Sequence, residues 1–233
     1  MVRWWHDRFV QLLLIRHGQT PHNVTGALDT AYPGAGLTAL GRVQARAVPD
    51  VLTEPVAGVY ASPLVRTQLT AEPLALARGT DIRVRRGLEE ISAGELELRS
   101  DEGSRDAYIA ALVRWMRGDV DHVLGGGESG RGFLARYTSA VEAIAAEHAA
   151  ADTVALFSHG AAIRVFATAA AGLPPDRAAD LSIMNTGMGV LEGDPRRGWR
   201  LAGWSSEPLG GLGLEDPAAE DVTGESAEEV LDD

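Results

Sequence analysis

Cysteine and lysine are both absent from this chain of 233 residues. Without a thiol there is no disulfide, thiolate nucleophile or thiolate metal site, which agrees with a reducing compartment. All 21 basic residues are arginines. The arginine fork binds phosphate or carboxylate at two points. A GC-rich coding sequence accounts for the bias as a whole, so only arginines singled out by position bear on function. Long apolar runs are also missing. Val10–Ile15, broken only by Gln11, is too short to span a bilayer and has no small-residue cleavage site behind it. It reads as a strand, and the chain as a soluble, cytoplasmic protein.

What is present is enough for a full core. Hydrophobic residues make up 45% of the chain, which suits one large α/β domain. The net charge of -12 is concentrated at one end: from Glu207 onward there are ten acids and no base, and residues 1–206 are nearly balanced. Residues 1–9 read as a loose arm, residues 10–206 as the domain, and residues 207–233 as a disordered acidic tail.

Strand and helix patterns alternate through the domain. Strands are expected at 10–15, 56–61, 82–84 and 153–157, with a final pair at 186–192 and 199–204 joined around Asp194-Pro195. Gly18 to Gly36 reads as a long loop. Thr38 caps a helix that Pro49 should kink or end, and Ser62-Pro63 opens another. Helices are also expected at 106–116, around Phe133, Tyr137, Val141 and Ile144, and at 161–171. This order implies a mostly parallel central sheet with helices on both faces, a three-layer sandwich. The strands at 10–15 and 153–157 are apolar throughout, as central parallel strands are. Ligands bind such sheets beyond the strands' C-terminal ends.

Three short strings stand at those ends. Arg16-His17-Gly18 follows the first strand, Ser62-Pro63 with Arg66 the second, and Ser158-His159-Gly160 another apolar one. A neutral imidazole is a nucleophile toward phosphorus. Arg16 beside it neutralises phosphate charge and disfavours the imidazolium. Gly18 permits close backbone approach, and Gly160 opens a helix whose N–H groups favour an anion. Each string has a plain alternative: a strand-end histidine bonded to a carbonyl, a surface arginine, or a loop Asn23 that caps a turn. Their recurrence at three strand ends favours a phosphate crevice.

Together the strings resemble the histidine phosphatase superfamily, the phosphoglycerate mutase-like family. Arg16-His17-Gly18-Gln19-Thr20 with Asn23 resembles its opening motif. Leu37-Thr38 with Gly41 and Gln44, Ser62-Pro63-Leu64 with Arg66 and Thr70-Ala71, and Leu88-Glu89-Glu90-Ile91 with Gly94 follow in order. Gly127-Glu128-Ser129 with Arg136, Ser158-His159-Gly160 and Asn185 complete the set over residues 10–205. The resemblance implies that His17 becomes a phosphohistidine and that Arg16, Arg66 and His159 hold the oxygens. Glu90 then acts as acid and base, and Gly18, Gln19, Asn23 and Gly160 bind substrate. No cofactor is expected, and the two adjacent arginines argue against a metal because they would repel a cation. The substrate is a small phosphate ester and the product inorganic phosphate, with neither nucleic acid nor membrane as partner.

Two departures bear on the reaction. Ile91, Ser92 and Ala93 stand where mutases carry residues that grip phosphoglycerate, which favours a phosphatase. Glu95-Leu96-Glu97-Leu98 replaces a tryptophan-glutamate-glycine string, which leaves open a phosphate-binding regulatory module. Glu89, next to Glu90, points to the opposite face of an extended segment. Residues 95–130 are expected to cover the pocket, with Tyr108, Trp115 and Met116 as lining or as plain helix packing. His22 lies near the mouth, as a substrate contact or a solvated loop residue.

Overall fold

A computed structural model describes residues 9–224; all of the 1–9 arm except Phe9, and the last nine residues of the tail, lie outside that range. The elements in chain order are β1 (Val10–Arg16), α1 (Pro21–Thr25), α2 (Ala39–Val51), β2 (Gly58–Ala61), α3 (Val65–Arg78) and β3 (Ile82–Val84). There follow α4 (Glu102–Met116), α5 (Gly130–Ala146), β4 (Thr153–Ser158), α6 (Gly160–Ala171), α7 (Pro175–Ala179), β5 (Met188–Asp194) and β6 (Gly198–Ser205). They build one six-stranded sheet in the order β3-β2-β4-β1-β5-β6. The pairs β3-β2, β2-β4 and β4-β1 are parallel, and β5 and β6 add an antiparallel edge.

Side chains alternate across a strand, and the core divides accordingly. Leu12 and Leu14 of β1, Tyr60 of β2, and Val154 and Leu156 of β4 face α4, α5 and α6. Leu13, Ile15, Val59, Ala61, Ala155 and Phe157 face the other way, onto α2 and α3. Each central strand is therefore apolar on both sides, and the expected three-layer sandwich is what forms. Among the described residues no helix is long and apolar enough to cross a membrane.

Several local expectations change. The loop after His17 holds a short helix, α1, because Pro21 starts it and Thr20 and Asn23 form a reciprocal cap. Thr38 does cap α2 through the Gly41 amide, yet α2 runs two residues beyond Pro49. Pro63 precedes α3, which begins at Val65. The helix read from 106 begins at Glu102, where the Asp101 carboxylate caps the Ser104 amide. Of the segment 95–130, Tyr108 and Trp115 are buried in the main core, Trp115 stacked on Phe133, while Gly126 and Gly127 line a crevice.

The expectation of disorder from Glu207 is corrected for residues 207–224. Leu209 joins the α2/α3 core and Val222 the larger one, and Ile183 donates its amide to Gly224 O at 2.8 Å. Composition missed this because the contacts are made by single apolar and acidic side chains placed on a surface already built.

Leu156 on the central strand β4 is fully buried. Its truncation to alanine is expected to cost about 2–5 kcal/mol, read as a lower urea midpoint at unchanged slope.

Candidate active site

Strand register brings the motifs together. In the β1-β4 pairing Arg16 lies opposite Ser158, and in the β2-β4 pairing Ala61 lies opposite Phe157. The next residues, His17, Ser62 and His159, therefore emerge side by side. His17 N donates to Ser158 O at 3.1 Å and Ser62 N to Phe157 O at 3.1 Å. The His17 and His159 rings lie 5.3 Å apart, edge to face, and both side chains are buried.

Hydrogen bonds fix the state of each imidazole. His17 Nδ1 lies 2.9 Å from Gly18 O. A carbonyl only accepts, so Nδ1 carries the proton and Nε2 keeps its lone pair. Burial first, then Arg66 and Arg16, push the His17 pKa well below the usual histidine value, so the ring is neutral. His159 is lowered in the same way, by burial and then by Arg66. Ser62 Oγ lies 2.7 Å from His159 Nε2 and accepts from Leu64 N. The serine proton is then free for Nε2, which leaves Nδ1–H of His159 as a donor.

Arg66 rises from the first turn of α3. Its Nη2 donates to Asp29 O at 2.8 Å, and Nη1 stands 3.5 Å from Asp29 Oδ2. Arg16 meets Ile183 O, Asp221 and Thr223. The Nε atoms of Arg16 and Arg66 and Nδ1 of His159 are buried without a protein partner among the described residues. Buried donors of this kind are costly unless a ligand takes them, and a tetrahedral oxyanion offers acceptors of the right type.

Glu90 is buried at the start of α6. Its Oε1 accepts from Ile91 N (2.9 Å) and Ala162 N (2.8 Å), and Oε2 from Ala161 N (3.3 Å). Burial raises its pKa, outweighing those amides and the two arginines. Glu89 turns instead to Gly87 N and Arg136. Arg136 holds the segment: it donates to the carbonyls of Gly87, Glu89 and Glu90 and pairs with Glu128 through two bonds.

A small pocket of about 20 Å³ is lined by His17, Thr20, His22, Asn23, Ala27, Asp29, Arg66, Glu90 and Thr223. Glu90 also borders an open crevice of about 520 Å³, whose lining includes Thr30, Arg86, Ser92 and Glu128. Arg16, His159, Gly18 and Gly160 do not line this pocket. Gly18 N donates to Thr70 Oγ1 at 2.9 Å, and a β-carbon on Gly18 would meet Gly41 O at 2.6 Å. Asn23 borders the pocket and donates to Asp221. Gln19 does not reach it: its side chain bonds Thr38 and Asp216 and lines a separate cavity.

Four residues at the site carried no readable signal. Asp29 grips Arg66 and stands 2.9 Å from His22 Nδ1. Asp221 and Thr223 arrive from the tail. Arg164, fully buried on α6, is lowered to about 10 by burial and by Arg16. The altered string after Gly94 has a structural part: Glu97 accepts from Thr30 N, Thr30 Oγ1 and Ala31 N, fastening the loop that bears Asp29. Among the described residues no three acidic or imidazole side chains gather as a metal-ligand set.

The family model for the histidine phosphatase superfamily, branch 1, matches residues 12–207. This chain belongs to that superfamily. It is 35% identical over 216 residues to the PE-PGRS family protein PE_PGRS11 of Mycobacterium tuberculosis, across 86% of this chain and 37% of that protein. The chain thus spans little more than a third of that relative's length. It is 28% identical over 215 residues to the probable phosphoglycerate mutase GpmB of Shigella boydii, covering 91% and 99% of the two chains. Among solved structures it is similar to mycobacterial glucosyl-3-phosphoglycerate phosphatase, with a TM-score of 0.72 at 27% identity over 86% of this chain and 100% of that one.

In this histidine phosphatase Arg136 holds the backbone of the segment that bears Glu90. Arg136→Met is expected to lower kcat/KM by roughly 10²-fold, the effect of a displacement of about 1 Å at a reacting group. Steady-state kinetics on any turned-over ester, with circular dichroism as the folding control, checks this.

Proposed function

We propose that this histidine phosphatase hydrolyses small phosphomonoesters through a phosphohistidine on His17. One observation carries the reading: a buried imidazole held neutral and a buried carboxyl held toward its protonated form border the same small pocket. Those are the two states that the first step needs.

His17 Nε2 gives its electron pair to phosphorus, and the bond to the ester oxygen breaks. Glu90 delivers its proton to that oxygen, which leaves as an alcohol. In the second step the Glu90 carboxylate takes a proton from water as the water oxygen bonds phosphorus. The P–N bond breaks, the pair returns to Nε2, and inorganic phosphate leaves. Arg16, Arg66, His159 Nδ1–H and the N–H of Gly160 hold the equatorial oxygens. Each such donor is worth about 10²–10³ in rate, and the acid–base group about 10²–10⁴.

The residues that follow Glu90 favour hydrolysis over transfer. Ile91 and Ala93 are fully buried and offer nothing to retain a phosphoglycerate for return of the group. The likeness to a glucosyl-3-phosphoglycerate phosphatase supports the same side of the choice. We place the activity in the cytoplasm and independent of metal. The cysteine-free chain supports the first; two guanidiniums beside His17, which would repel a cation, support the second.

His17→Ala is expected to abolish phosphate release across a panel of esters that includes a sugar-acid phosphate and a phosphoglycerate. Acid-quench labelling should trap phosphohistidine in the wild type only. Interconversion of phosphoglycerates without phosphate release would restore the mutase reading; phosphate binding with neither would leave a binding module.

The pH profile follows from the two shifts. A lowered His17 pKa puts loss of activity by protonation on the acid side. A raised Glu90 pKa puts loss by deprotonation on the alkaline side. Glu90→Gln should reduce kcat by about 10²–10⁴ and remove the alkaline limb, once the substrate's own ionisation is subtracted.

A further inference from the structure

The outer edge of Arg16 is already taken. Nη1 donates to Ile183 O at 2.8 Å and to Asp221 Oδ2 at 2.5 Å. Nη2 donates to Asp221 Oδ1 at 2.5 Å and to Thr223 Oγ1 at 2.8 Å. Two parallel bonds from one guanidinium to one carboxylate form the same fork by which arginine grips a phosphate. Asn23 Nδ2 adds a third donor to Asp221 Oδ1 at 3.0 Å. The Asp221 carboxylate therefore occupies both Nη atoms of the guanidinium that a phosphoryl ligand would use and leaves only its Nε free.

Residues 215–224 bring it there as a strap. Gln19 Nε2 bonds Asp216 Oδ2 at 2.8 Å, Arg105 pairs with the half-exposed Glu220, and Ile183 N bonds Gly224 O. Between these anchors Val222 enters the core, but the stretch from Glu215 to Asp221 leaves space beneath it. It roofs a cavity of about 370 Å³ lined by Gln19, Gln44, Asn185, Glu215, Asp216 and Asp221, among others. At its end Thr223 forms part of the pocket wall beside His17. The space left there is small, about 20 Å³. Gly160 is covered too: a β-carbon there would lie 2.4 Å from Thr223 O.

We propose that residues 215–224 are an autoinhibitory strap in which Asp221 competes with the substrate's phosphoryl group for Arg16. The phosphate ester enters only when the strap lifts. This rests on the phosphatase reading for its consequence in turnover, but the competition itself concerns anion binding alone. The apparent affinity of every phosphate-bearing ligand is reduced by the fraction of molecules with the strap closed.

Asp221→Asn keeps the shape of the side chain and removes its charge. Glu220→Ala loosens the strap at Arg105 and leaves Arg16 untouched. Inorganic phosphate and orthovanadate binding are measured by calorimetry on full-length wild type and both variants at matched ionic strength. The kcat/KM for an ester is measured alongside, with thermal melts as folding controls. Asp221→Asn is expected to tighten both anions and raise kcat/KM by a common factor of roughly tenfold or more, since the loss is of a charge-assisted, bidentate pair. Glu220→Ala should move the same quantities the same way by about two- to fivefold, the size of an exposed ion pair. Weaker anion binding in Asp221→Asn would mean that Asp221 instead orients Arg16 for phosphate, and the proposal falls. Unchanged binding in both variants also overturns it. Tighter anion binding without turnover of any ester would uphold the strap and remove the phosphatase reading.

Discussion

The parallel pairing of β1 with β4 is the constraint on which the site depends. Each strand ends in a motif with a histidine, and the register that sets Arg16 against Ser158 delivers both imidazoles to one place. Neither loop needs to find the other. The parallel ladder from Gln11 against Thr153 to Arg16 against Ser158 carries that register through the buried core, with Leu12 and Leu14 packed on one face and Leu13 and Ile15 on the other. Core packing and active-site alignment are thus one constraint.

Burial then sets the chemistry. An exposed histidine between two arginines would be neutral at physiological pH anyway; buried, it is neutral with a wide margin, and its one proton is pinned to the Gly18 carbonyl. The same low-dielectric surroundings act in the opposite sense on Glu90 and favour its protonated form. For the nucleophile and acid proposed above, pH usually sets the two at odds; here burial moves both in the useful direction.

The sequence was informative where a side chain's role depends on the end of a strand. The apolar runs, the alternation of elements and the glycine after each histidine were readable, and so the layers and the grouping of His17, Arg66 and His159 followed; Glu90 came only from the resemblance of Leu88-Glu89-Glu90-Ile91 to the family's motif. Contacts that depend on tertiary placement were not. Asp29 sits in a loop of unremarkable composition, and Asp221 in a stretch whose acids read as solvating. Arg164 lies on an alanine-rich helix with nothing to mark it. Gln19 belongs to the opening motif, yet its side chain leaves the pocket for Thr38 and Asp216. Membership of a motif fixes where the backbone goes, while the side chain answers to its neighbours.

The contact between Gly18 and Gly41 has a consequence for how this protein can vary. A β-carbon at either position would strike the other's backbone or that of Gln19, at 2.6 Å for Gly18 and 2.2 Å for Gly41. The start of α2 therefore lies flush against the backbone of the loop after His17, like two boards planed to a common face. Any residue that thickens one board pushes α2 away from the loop and tilts His17 with it. Positions 18 and 41 are 23 residues apart in the chain, but they can drift only as a single unit.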